Sequence, residues 1–276
     1  MDLRGNRILR LTIKSSNMLS KLIVPAVFLS CLACKQKTVS LPNEMQNVYQ
    51  SPATENSYAK IKNIPLPEDY ERINYSPDSF AAWLRNVELK KSKVVYKFDG
   101  TPKANQSAQF AVLNISVGNK DLQQCADAVM RLRAEYLYSK KSFDKINFTD
   151  NTGRSYPFLQ PYSREHFDNY LLKVFSMCGT ASLAKQLKQH VEIKDIEPGD
   201  VLIRGGFPGH AEIVMDVAVN NGKKIYLLAQ SYMPAQDIHV LINPANKKLS
   251  PWYQVTDNTA IETPEYTFSK YEFKRW

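Results

Sequence analysis

The chain has 276 residues, 43% hydrophobic and 11% aromatic, enough to bury a full core in one domain with at most a small extension. Its 10 Gly and 15 Pro exclude a collagenous or low-complexity chain. Part of the formal charge of +9 lies in residues 1–31; the remainder holds 31 basic against 26 acidic residues, with no basic run interleaved with aromatics, so nucleic-acid binding is not expected.

Residues 1–21 are basic and polar, carrying Arg4, Arg7, Arg10, Lys14 and Lys21 against Asp2. Leu22 to Leu29 is a short apolar run, and Ser30-Cys31-Leu32-Ala33-Cys34 follows. This order predicts a secretory signal over 1–31. The apolar run is too short for a transmembrane helix, which needs about 20 residues. The Ser-Cys and Ala-Cys pairs resemble a bacterial lipobox. Cys31, preceded by Phe28-Leu29-Ser30, is the expected lipidation site, and Cys34 is the alternative. A lipid on Cys31 would make the membrane a partner of the chain and place it in the bacterial cell envelope. Residues 32–65 are rich in Ser, Asn, Gln, Lys and Pro without periodicity, and are expected to be a flexible tether to one domain over 66–276.

Within that domain, Phe80, Trp83, Leu84 and Val87 have helical spacing after Ser76-Pro77-Asp78. Val94–Phe98 and Phe110–Val117 read as strands. The most regular helix is expected from Asp121 to about Ser139, with Leu122, Cys125, Ala126, Val129, Leu132 and Tyr136 on one face and Asn119 or Asp121 as cap. An aromatic, turn-rich segment covers about 143–163. Helices are expected over His166–Phe175 and Ala181–His190, separated by Cys178-Gly179-Thr180. The organising stretch runs from Pro198 to His239. It contains an apolar strand core at Val201-Leu202-Ile203, a Gly205-Gly206-Phe207-Pro208-Gly209 loop, and a strand opening at His210 with Glu212 and Val214 on the same face. Asn220-Asn221-Gly222 then marks a hairpin turn, and Ile225–Ser231 returns, bringing Gln230 back near His210.

A cysteine at a helix start, a histidine at a strand start and a polar residue on the adjacent strand are the parts of a thiol acyl-transfer site. The thiolate attacks, the imidazole moves the proton and the third group orients the ring. Cys125, His210 and Gln230 occupy those places. Cys178, also just before a helix, is the rival nucleophile, and Asp237 with His239 is the rival to Gln230. Cys125 and Cys178 could instead form a disulfide in an oxidising compartment, or Cys125 could be a small core residue. His166, His190 and His239 lack metal-ligand spacing, so neither metal nor cofactor is expected.

Pro198-Gly199-Asp200-Val201 with Gly209-His210-Ala211-Glu212-Ile213-Val214 resembles the "PGD…HVGIV" segment of NlpC-type and CHAP-type cell-wall peptidases. That resemblance implies a papain-like α+β fold, with an antiparallel sheet packed against helices. It also implies cleavage of amide bonds in peptidoglycan peptides, with Cys125 as nucleophile, His210 as base and Gln230 as third residue. The chain departs from the pattern in having Gln124-Cys125-Ala126 where those families have Asp-Cys-Ser/Gly, and in the long path from Cys125 to His210. Asp121–Asp127, Arg131–Tyr136, Cys178–Leu183, Pro208–Ala211 and Leu227–Gln236 resemble a family of uncharacterised bacterial lipoproteins carrying a domain of unknown function, mostly from Gram-negative gut anaerobes. The function expected is a cysteine amidase or peptidase on an envelope lipoprotein; the alternative is a non-catalytic binding or scaffold lipoprotein.

Overall fold

The computed structural model describes residues 55–276, and the signal, Cys31 and the first part of the tether lie outside the described residues. In chain order its strands and α-helices are β1 (Glu71–Arg72), α1 (Phe80–Arg85), β2 (Gln109–Val112), α2 (Cys125–Ser139), β3 (Asn147–Thr149), β4 (Ser155–Pro157), α3 (Arg164–Met177), α4 (Thr180–Gln186) and β5 (Gln189–His190). These are followed by β6 (Val201–Arg204), β7 (His210–Asn220), β8 (Lys223–Gln230), β9 (His239–Leu241), β10 (Tyr253–Gln254), β11 (Ala260–Glu262), β12 (Thr267–Ser269) and β13 (Phe273–Arg275).

The centre of the fold is the hairpin of β7 and β8. Asn221 and Gly222 both take positive φ, 46° and 80°, as a two-residue turn matched to strand twist requires. From that turn the ladder runs back to Ile213 opposite Ala229, with one irregularity between Val214 and Asp216. Around the hairpin the strands lie in the order β2-β9-β8-β7-β6-β13-β5, with β1 added to β7 and β10 to β8, and every pairing is antiparallel. The class is therefore α+β: a mixed helical and antiparallel-sheet domain.

Alternation along these strands separates two cores. Ala211, Ile213, Leu227, Ala229 and Val240 join Ala126, Val129, Met130 and Leu132 of α2 in the larger one. Leu202, Val214, Leu228 and Leu241 join Ile261 and Phe268 of the β11–β12 hairpin in the other. The sheet is thus buried on both faces, which accounts for the apolar runs of β6 to β9.

The domain begins earlier than the sequence pattern suggests. Residues 55–65, expected within the tether, pack into it: Ile61 and Ile64 are fully buried, and Leu89 donates its N–H to the Ala59 carbonyl. Polar composition misled because two well-placed isoleucines suffice once the backbone pairs with residues 87–92, and a buried acid ties the end of the segment down. Asp216, inaccessible on β7, is bound by Arg72 Nε at 2.7 Å and Arg85 Nε at 2.5 Å. Arg72 also donates to the Ile64 carbonyl, and Arg85 to the carbonyls of Ile73 and Val217.

Other expected elements are shorter or displaced. Residues 94–98 form only the bridges Tyr96–Pro102 and Lys97–Gln236, because side chains take their backbone donors: Gln106 accepts from Val95 N and Asp237 from Tyr96 N. The strand expected over Phe110–Val117 is Gln109–Val112. The helix expected to reach His190 stops at Gln186, and Gln189–His190 pairs with β13.

Replacing Asp216 by Ala would strand two largely buried guanidinium groups. A stability loss of about 3–5 kcal/mol is expected in urea denaturation.

Candidate functional site

Helix α2 begins at Cys125 itself, four residues later than the pattern suggests. Asp121, one of the two expected caps, instead binds the chain after β8, its Oδ1 accepting from Ala235 N at 2.6 Å. Capping falls to Asp127, whose Oδ2 accepts from Gln124 N at 3.0 Å. Ser231, just past β8, donates its hydroxyl to the Gln123 carbonyl at 2.9 Å. These bonds fasten the start of α2 to the sheet end where β7 begins and β8 stops, and so bring Cys125 to His210.

The glycine loop positions the histidine. A Cβ on Gly209 would lie 2.7 Å from the Arg204 carbonyl and against the Thr180 hydroxyl, so only glycine lets the loop lie on the start of α4. Thr180 Oγ1 also donates to the Gly206 carbonyl at 3.1 Å. The Pro-Gly-Asp entry has a structural part: Asp200 is 1% exposed, accepts from Glu197 N and binds Arg275, tying β6 to β13.

Three strands lay polar groups side by side on one face. Leu202 pairs with Glu212 across β6 and β7, and Gln230 with His239 across β8 and β9; Glu212 and Gln230 each lie one step beyond the last β7–β8 pair, Ile213 with Ala229, and His210 lies two residues along β7 from Glu212. His210 Nε2 is 2.6 Å from Gln230 Oε1. Gln230 Nε2 donates to Glu265 Oε2 at 2.8 Å and lies 3.4 Å from His239 Nε2. His239 Nδ1 is 2.9 Å from the Asp237 carbonyl.

These contacts fix every proton along the row. A carbonyl can only accept, so His239 Nδ1 carries the hydrogen and its Nε2 is the acceptor. The Gln230 amino group then faces the two acceptors, His239 Nε2 and Glu265, and its carbonyl oxygen faces His210. His210 Nε2 must therefore be the N–H, which leaves Nδ1 as the ring nitrogen available to the Cys125 thiol. Rings of Tyr232, Tyr266 and Phe268 pack around His210 at centroid distances of 4.9, 5.0 and 5.8 Å.

Burial works against a charge on His210, but hydrogen bonding and attraction from Cys125 and Glu212 outweigh it and raise the ring's pKa to about 10. Stability from this group is fully present below 6.5 and is lost as pH rises through about 10. His239 is opposite in sign: burial, then the charge of Lys103, pushes it down to about 3. Lys103 is paired with Glu265, and Asn105 Nδ2 donates to that carboxylate at 3.2 Å.

Cys125 lines a cleft of about 490 Å³, with Asp121, Asp127 and Cys178 also in its wall and the exposed Phe207 and Met233 at its rim. His210 is not part of the lining and stands behind the thiol. Cys125 and Cys178 are both free, not disulfide-bonded. Cys178 keeps its proton, since burial and then the charges of Asp150 and Asp127 push its thiol up to about 12. Among the described residues no group of three or more His, Cys, Asp and Glu is arranged to hold a metal ion.

The three sequence-predicted site residues are therefore brought together, and the rivals are placed elsewhere: Cys178 across the cleft, His239 behind Gln230, and Asp237 on Lys90. Sequence reasoning missed Glu212, Thr263 and Glu265 as members of the site. Alternation from His210 was the available signal for Glu212; nothing local marks the other two.

Fold and site together define an α+β domain with a buried thiol–imidazole–amide array opening on a cleft. The chain belongs to the family described as Domain of unknown function (4846), whose model matches residues 61–160 and 159–275. No curated protein and no solved structure matches the chain.

Two outcomes follow. Gly209→Ala is expected to destabilise the domain by about 1–3 kcal/mol in urea denaturation and to slow alkylation of Cys125, because the loop carrying His210 must move. Below pH 6.5 the unfolded chain takes up a proton that buried His239 refuses, so stability falls as pH drops from 6.5 toward 3. In His239→Gln, urea midpoints measured across that range should fall less steeply.

Proposed function

We propose that the domain is a papain-like cysteine hydrolase of the cell envelope, cleaving amide bonds in cell-wall peptides. The observation that carries the reading is the fixed order of protons from the Asp237 carbonyl through His239, Gln230 and His210. It leaves one ring nitrogen, Nδ1, for the cysteine at the helix start. A merely structural histidine has no need of such a relay.

In this reading the Cys125 thiolate attacks the substrate carbonyl and His210 holds the displaced thiol proton at Nδ1. The carbonyl oxygen becomes an oxyanion near the first-turn N–H groups of α2, which have no intrahelical partners. Collapse of the tetrahedral species breaks the C–N bond, the amine leaves with the proton from Nδ1, and a thioester remains on Cys125. Water then attacks the thioester, giving its proton to Nδ1 and releasing the acid as the thiol re-forms. Gln230 holds the ring at Nε2 throughout, because its amino group is engaged on the far side.

The cleft supports a peptide substrate. Among the described residues its lining holds no Lys, Arg or His to pair with a phosphate or sulfate, whereas its apolar rim and carboxyl groups suit a chain with apolar side chains and free amines. A lipid on Cys31 would keep this cleft in the envelope, where such peptides occur.

The test is release of new amino groups from purified peptidoglycan stem peptides, by wild type and by Cys125→Ala. Loss of about 10³-fold or more in the variant, with its fold intact by circular dichroism, is expected. Equal turnover removes Cys125 from the mechanism. Binding of the peptides by both proteins, with turnover by neither, assigns the non-catalytic alternative.

A further inference from the structure

Glu212 has no place in the three-residue array, yet it is fully buried on β7. Its Oε1 accepts from the Thr263 hydroxyl at 2.8 Å, and its Oε2 has no hydrogen-bond partner among the described residues. A carboxylate so placed needs a counter-charge or a proton.

The surroundings leave one candidate. On β6 the residue opposite is Leu202, and on β8 the residue one step beyond the Ile213–Ala229 pair is Gln230, which is neutral. On β9, His239 is held neutral by burial and by the charge of Lys103. Tyr226 on β8 and Tyr253 on β10 feel the carboxylate's charge but are neutral phenols themselves. Tyr232 and Tyr266 flank the imidazole as rings. The nearby cations are already taken: Lys103 is paired with Glu265, and Arg204 with Glu272 at 2.7 Å. His210 Nε2 lies 3.6 Å from Glu212 Oε1, the only ion-pair partner that carboxylate has among the described residues.

We propose that Glu212 is a positioning residue of the site, the buried counter-ion that holds His210 in its charged form. The consequence for catalysis rests on the cysteine-hydrolase reading, but the electrostatic pair does not. An imidazolium stabilised from the Nε2 side donates from Nδ1 toward the sulfur. The site is then four groups: Cys125 and Glu212 on either side of His210, with Gln230 fixing the ring plane. Thr263, on the segment covering this face, holds the carboxylate in line.

The experiment is imidazole NMR titration of His210 in the full chain, comparing wild type with Glu212→Gln. The substitution is isosteric, keeps the Thr263 bond and removes only the charge. His210 is expected to titrate above the ordinary histidine range in wild type and lower by about one pH unit or more in the variant. His239 serves as the internal control for an intact fold. The same pH in both proteins overturns the proposal. Should Glu212→Gln not fold, Cys125→Ala decides: with the thiol gone, His210 should still titrate above 6.5, and a value at or below 6.5 overturns the proposal.

Iodoacetamide reactivity of Cys125, measured alongside, separates the two readings. An unreactive thiol with a shifted His210 removes the hydrolase and leaves the pair. A reactive thiol with an unshifted His210 does the reverse.

Discussion

The Gln230 side chain has two chemically different ends, and the site depends on their not being exchanged. Were the amide reversed, its oxygen would face Glu265 and its amino group would face a ring N–H, placing acceptor against acceptor and donor against donor. The backbone carbonyl of Asp237 prevents this from two residues away by fixing the tautomer of His239. Lys103, by neutralising Glu265, keeps that carboxylate tolerable beside the amide. One main-chain oxygen and one buried lysine thereby determine which nitrogen of His210 is offered to sulfur, and neither touches the cleft.

The scaffold is arranged so that this row is not disturbed. Asp216 and Asp200 are both buried acids bound by arginines, and each joins a distant segment to the central strands: Asp216 draws residues 64–85 onto β7, and Asp200 draws β13 onto β6. Both lie away from the row of Glu212, Gln230 and His239. Structural acids are thus given arginines, which stay charged at any relevant pH. The acid beside His210 is given only an imidazole and a hydroxyl, and the responsive electrostatics are confined to the site.

Much of this was legible in the chain. The Asn-Gly turn, the alternation from His210 and the apolar spacing after Cys125 locate the hairpin, the helix and three residues of the array, because each is a local pattern with a known period. What was not legible is what local pattern does not encode. The true start of α2 depends on Asp121 being captured by Ala235 N, a contact between distant segments. The order within residues 55–65 depends on their pairing with residues 87–92, again a contact between distant segments. Thr263 and Glu265 lie in a loop with no periodicity, and only the packing of the β11–β12 hairpin brings them to the face that bears Glu212 and Gln230. The strand expected at Val94–Phe98 failed for a related reason: the backbone donors of Val94, Val95 and Tyr96 found side chains instead of a neighbouring strand.

The sheet order also divides the site by how its parts come together in time. His210, Glu212, Gln230 and His239 belong to three strands consecutive in the chain, joined by a tight turn and one loop, so their pairing closes short loops and can form early. Cys125 reaches them only when α2 docks across the sheet, and the Glu265 loop only when the segment after β10 folds back. A partly unfolded molecule can therefore retain the hairpin and its histidine while the sulfur is elsewhere. Thiol reactivity tuned by His210 is in that sense a gauge of the whole domain's completion, not of its most stable part.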